Sequence, residues 1–205
     1  FSGNKFLTSI TIPASVTSIG SSAFKNCENL TTVNFAQGGT TIAIGVSAFE
    51  NCKSLDNSFA LPAYTSLIAD SAFANCRFTA FSIPASVSRI SESAFENCSL
   101  LETLTFTHTS ETLSIDSYAF AGCSALKSLE LPAGITSLGS AAFENCVALE
   151  SVELGKVTEE NGTFHADVQD LYSADIDASD IPDLVPVLAA TAALAKGKTR
   201  IRGAS

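Results

Sequence analysis

Tryptophan and methionine are absent from this 205-residue chain, and histidine occurs only as His108 and His165. Neither histidine has a neighbouring nucleophile in a recognisable motif, so triad chemistry has no foothold. No C-x-x-C pair and no histidine cluster occurs, which removes the usual zinc arrangements. No glycine-rich phosphate loop follows a strand. Basic residues are scarce, 11 against 21 acidic ones, and the formal net charge of −10 would repel a nucleic-acid backbone. No run of 18 apolar residues is present, so no transmembrane helix is expected. An initiator methionine and a secretion signal are also missing, which a fragment or a mature chain would lack in any case.

What the chain has is one phrase, repeated. It is plainest in Leu7-Thr-Ser-Ile10-Thr-Ile12-Pro13-Ala-Ser-Val16-Thr-Ser-Ile19-Gly20-Ser-Ser-Ala23-Phe24-Lys-Asn26-Cys27. Cysteines at 27, 52, 76, 98, 123 and 146 mark its register at intervals of 25, 24, 22, 25 and 23 residues. Each lies three residues beyond an Ala-Phe pair and directly after Asn or Gly. A period in this range signals stacked repeats, because a single unit cannot bury its apolar face alone.

Thr8 to Ile12 alternates hydroxylated and apolar residues, the period of a half-buried strand, and Pro13 ends the pairing because it has no N–H. Val16 to Gly20 reads as a second short strand. Ser21 to Cys27 reads as a single helical or 3₁₀ turn capped by serine. About seven inward side chains, roughly 1.5–3 kcal/mol each, face a backbone ordering cost near 1–2 kcal/mol for each of about 23 residues. A lone copy is therefore expected to be unfolded, and stacking, with parallel strands from successive coils, to be what folds it.

The combination L-x-x-I-x-I-P-x-x-V-x-x-I-G-x-x-A-F-x-N-C resembles the BspA-type, or Treponema-type, leucine-rich repeat (LRR_5-like), over Phe1 to about Val157. The resemblance implies an α/β-type repeat solenoid: a curved right-handed leucine-rich-repeat coil, mostly β with short helical or 3₁₀ turns, and a parallel sheet on the concave face. It further implies a bacterial or protozoan cell-surface or extracellular protein that attaches to host or neighbouring-cell components, with no enzyme activity and no cofactor. Phe1 to Leu7 aligns with Phe24 to Leu30, which reads as a cut through a longer array.

Two copies are longer and lack the proline, through Ala36-Gln-Gly-Gly-Thr-Thr-Ile42 and Thr107-His-Thr-Ser-Glu-Thr-Leu113. Both insertions fall at the same corner, three coils or roughly 15 Å apart at the usual strand spacing. The third copy, Leu55-Asp-Asn-Ser-Phe59-Ala-Leu61-Pro62, carries an extra residue that reads as a bulge.

The expected outward positions on the concave strands are hydroxyl-rich and aromatic-poor. The early coils contribute Thr8, Thr11, Thr32 and Asn34, and the middle coils Ser82, Thr103 and Thr105. In the late coils the face turns acidic through Glu130, Glu150 and Glu153, beside Lys127, while His108 sits on the fifth coil's long corner. These positions are candidates for protein contact. Against this stands the plainer reading that Thr and Ser simply suit exposed strands, which makes the chain an architectural spacer presenting another domain. An ice-binding threonine array is disfavoured because Ser, Asn, Ala and Glu interrupt the grid, and a glycan platform lacks its stacking aromatics.

All six cysteines are expected to be buried free thiols, since equivalent side chains in a ladder point in parallel. The repeat fades after Leu154, giving repeats over 1–157 and a segment 158–205 that is a cap, the start of a following domain or a linker. A helix is expected over about 187–196. Asp175-Ile-Asp177-Ala-Ser-Asp180 hints at calcium but lacks the turn glycine and terminal Glu of the usual loop.

Overall fold

The computed structural model describes residues 1–107, 112–132, 134–154, 175–177 and 200–202. Each copy of the phrase is one coil, and both of its extended edges become strands. The first edges are β1 (Ser9–Ile12), β3 (Thr32–Phe35), β6 (Ala80–Ile83), β8 (Thr103–Phe106), β10 (Ser128–Leu131) and β12 (Ser151–Leu154). The second edges are β2 (Ser18–Ile19), β4 (Ile42–Ile44), β5 (Thr65–Ile68), β7 (Arg89–Ile90), β9 (Leu113–Ile115) and β11 (Ile135–Leu138). Every ladder is parallel, so the repeat builds two faces: a first sheet from the first edges and an unbroken six-stranded second sheet, β2-β4-β5-β7-β9-β11. The architecture is the expected leucine-rich-repeat solenoid.

Alternation decides which side chains enter the core. In β1, Ile12 is buried and Ile10 half-buried, while Ser9 and Thr11 face out. Register then stacks like on like, Ile10 on Val33 and Ile12 on Phe35. Phe1, Phe24, Phe49, Phe73, Phe95, Phe120 and Phe143 form one column of parallel rings, with centroids 5.0–5.5 Å apart.

The Ser21–Cys27 arc is a series of tight turns and not the expected helical turn; no helix occurs among the described residues. The reason is how its N–H groups are shared. Those of Ala23, Lys25 and Cys27 donate within the coil, to the carbonyls of Gly20, Ser22 and Phe24. Those of Ser22, Phe24 and Asn26 donate to Val46, Ala48 and Glu50 of the next coil, each at 2.8 Å. A helix would use all of these donors internally and give up the contacts between coils. The alternation requires left-handed backbone at two points per arc, as at Ser22 (φ 56°) and Asn26 (φ 59°). Asn and Gly tolerate that conformation best, which explains the Asn or Gly before every cysteine.

The third coil departs further than a bulge. Residues 55–61 form no strand, and the first sheet is divided into β1-β3 and β6-β8-β10-β12. Asp56 accepts the Ser58 N–H (2.8 Å) in a local turn. Phe59 is driven inward to meet Phe49 and Phe73 at 5.5 and 5.6 Å, edge to face. The side chain of Asn57 stands in for the missing strand, its Oδ1 accepting the N–H groups of Thr79 (3.0 Å) and Ala80 (3.1 Å).

Nearer the C-terminus, β13 (Asp175–Asp177) and β14 (Arg200–Arg202) pair in parallel, with Asp175 opposite Arg200 and Asp177 opposite Arg202. The expected helix over 187–196, His108 and His165 lie outside the described residues.

Candidate protein-interaction face

On the outer side of the first sheet, register gathers the expected positions into rows. Thr11 lies beside Asn34, Ser82 beside Thr105, and Glu130 beside Glu153. Thr8, Thr11, Asn34, Ser82, Thr103, Thr105, Lys127, Glu130 and Glu150 are exposed and Thr32 is half-buried. The break at the third coil separates an early patch of Thr8, Thr11, Thr32 and Asn34 from a later one beginning at β6. Part of the hydroxyl complement is engaged locally: the Thr31 hydroxyl donates to the Thr8 carbonyl (2.9 Å) and that of Thr107 to Ile83 (3.1 Å).

The acidic end is partly neutralised. Lys127 follows Glu102 and precedes Glu150 in one backbone-bonded row, and its Nζ lies 2.6 Å from Glu102 Oε2. Similar pairs join neighbouring coils elsewhere: Lys25 with Glu50 (2.6 Å), Lys53 with Glu28 (3.1 Å) and Arg89 with Asp116 (2.7 Å). Burial alone would raise the Glu50 pKa, but hydrogen bonds from Lys25 and Ser47 hold it below the ordinary value.

Sequence reasoning missed a notch at the break. A shallow depression of about 350 Å³ is lined by Asp56, Asn57, Ser58, Arg77 and Thr79. The signal was a length compensation. The third copy gains a residue in its first edge, and the next copy shortens its corner, Cys76-Arg77-Phe78 replacing the Cys27-Glu-Asn-Leu30 pattern. At the long corner of the second copy, the Tyr64 ring covers Gly39 and its hydroxyl donates to the Ala36 carbonyl (3.2 Å).

All six thiols are free and buried. Each Sγ donates to the carbonyl of the phenylalanine one coil earlier, from Cys27 to Phe1 (3.1 Å) through Cys146 to Phe120 (3.4 Å). The Phe24 carbonyl thus accepts both the Cys27 N–H and the Cys52 thiol. Burial pushes Cys52 up to about 12, with the neighbouring Cys27 adding to the shift, and Cys146 up to about 11. Such thiols are poor nucleophiles. Among the described residues no group of three or more His, Cys, Asp or Glu is placed to hold a metal, and no helix is long and apolar enough to cross a membrane.

A family model described as a BspA-type leucine-rich repeat region, in six copies, matches residues 1–57 and 43–172. The chain belongs to the BspA-type leucine-rich repeat family. A leucine-rich repeat protein from Bacteroides ovatus superposes with a TM-score of 0.66 at 32% identity, covering 76% of this chain and 41% of that one. The pneumococcal vaccine antigen PcpA is 28% identical over 72% of this chain and 30% of its own, at a TM-score of 0.46 that is too loose to carry an argument. A 46-residue stretch is 52% identical to a 3-phosphoshikimate 1-carboxyvinyltransferase of Archaeoglobus fulgidus, covering 22% of this chain and 11% of that enzyme. That is about two coils, too little to carry over an activity. This BspA-type chain therefore spans less than half the length of these relatives. Leucine-rich repeats generally mediate protein–protein contacts and generally lack enzyme activity.

Proposed function

We propose that this BspA-type chain is a non-enzymatic protein-interaction module at the cell surface, attaching to host matrix proteins or to neighbouring cells. The observation that carries this reading is the outer side of the first sheet. Ser9, Thr11, Asn34, Ser82, Thr103, Thr105 and Glu130 are exposed there in register over one continuous buried hydrophobic core. Such a surface is pre-organised, so binding an extended partner costs little ordering on this side. Surface plasmon resonance of the whole chain against collagen, fibronectin and laminin tests it. Saturable binding that weakens when Glu130 and Glu150 are reversed to Lys is expected. Absence of binding to these proteins and to intact cells would sink the reading.

The spacer reading draws on the hydroxyls already bonded to backbone carbonyls, such as Thr31 and Thr107, which serve the fold without a ligand. For residues 158–205 we propose a cap on the last coil. The last coil of a stack exposes an apolar end that must be covered, and β13 and β14 pair with each other apart from β12.

A further inference from the structure

The notch at the third coil presents hydrogen-bond donors. The Asp56 carboxylate is engaged by the Ser58 N–H and hydroxyl, which hold its pKa below the ordinary carboxylate value. The Asn57 amide is committed at both ends, Oδ1 to the Thr79 and Ala80 N–H groups and Nδ2 to Thr79 Oγ1 (2.7 Å). The donors left uncommitted are the second Nδ2 hydrogen of Asn57, the Thr79 hydroxyl hydrogen and the Arg77 guanidinium. Lys25, Lys53, Arg89 and Lys127 each hold a carboxylate of an adjacent coil. Arg77 is exposed and pairs with no carboxylate among the described residues, in a chain of net charge −10.

A free guanidinium beside a hydroxyl donor, in a recess of about 350 Å³, fits a carboxylate bound in bidentate fashion. Two coils further along the same face, Glu130 is exposed and accepts no cation among the described residues. At about 4.8 Å per coil and about 3.3 Å per residue along a strand, Arg77 and Glu130 lie on the order of 19 Å apart, about five or six residues of extended chain.

We propose that the notch seats an Asp or Glu side chain of an extended partner-protein segment whose Lys or Arg, five or six residues away, meets Glu130. This rests on the reading of the first sheet as a protein-interaction face. The nearby charge of Asp56 opposes an anion and so limits what the Arg77 contact adds to affinity.

The test pans a displayed library of random 12-residue peptides on the whole chain, then on R77E and E130K, with thermal melting to confirm that both exposed substitutions leave the fold intact. Peptides enriched on the wild type are expected to share an acidic and a basic residue five or six apart. Their synthetic versions should bind R77E about tenfold more weakly, and the pool selected on R77E should carry a basic residue where the wild-type pool is acidic. Equal binding to wild type and R77E, or no shared pattern, overturns the proposal. If matrix-protein binding persists through R77E, the notch fails while the wider interaction reading stands; if neither peptides nor matrix proteins bind the wild type, both fail. Arg77-dependent binding of oligogalacturonate in place of peptides would assign the notch to an acidic glycan and also overturn it.

Discussion

At the scale of single residues, cysteine has a structural task in every coil. Its thiol is small enough for the crowded arc and supplies the second donor to a phenylalanine carbonyl that already accepts one N–H. Alanine would fill the space without the bond. A pH dependence follows from the raised pKa values. Thiols of the unfolded chain ionise near 9, whereas Cys52 resists until about 12 and Cys146 until about 11. Between those limits the unfolded chain binds fewer protons than the folded one, so stability is full below about pH 9 and declines as pH rises. The slope is up to about 1.4 kcal/mol per pH unit for each thiol raised in this way, Cys52, Cys76, Cys98, Cys123 and Cys146. Urea midpoints from pH 7 to 10.5 should fall steeply for the wild type and less steeply for a C76A/C98A variant. Equal slopes would show that the thiols do not carry the effect.

At the scale of elements, the third coil matters most, because it interrupts an otherwise repeated strand while the second sheet continues past it. Asn57 bridges the break with one side-chain oxygen accepting two backbone N–H groups. Asn57→Ala should cost about 1 kcal/mol, a modest loss because the freed amides face water. Hydrogen exchange should accelerate at Thr79 and Ala80 while β8 and β10 remain protected. Unchanged exchange at those two amides would show that the bridge carries no load.

At the scale of the whole molecule, the solenoid is a one-dimensional stack in which each coil depends on its two neighbours. Phe73 is the most connected ring of the central column, touching Phe49, Phe59, Phe78, Phe81 and Phe95. Phe73→Ala should remove about 3–5 kcal/mol and, because the first sheet is already divided beside it, uncouple the two halves. Denaturation followed by circular dichroism should then show two transitions in place of one. A single shifted transition would show that the second sheet alone holds the stack together.

The sequence by itself determined the repeat, its register, the family and the identity of the core, because Leu, Ile, Ala-Phe and Cys recur at positions whose burial depends only on local alternation and stacking. It also placed Thr11, Asn34, Ser82, Thr105 and Glu130 on an outer face, since period-2 alternation leaves a strand residue only two directions. Only the tertiary structure decided that the arcs are turns, because whether an N–H donates within its coil or to the next depends on the distance between coils. The tertiary structure also decided the notch. An extra residue in one copy and a missing one in the next are visible in the chain, but bringing Asp56, Asn57 and Ser58 against Arg77 and Thr79 requires two coils to be stacked. The charge of Arg77 could be read from the start; that no carboxylate among the described residues pairs with it became visible only once the coils were stacked.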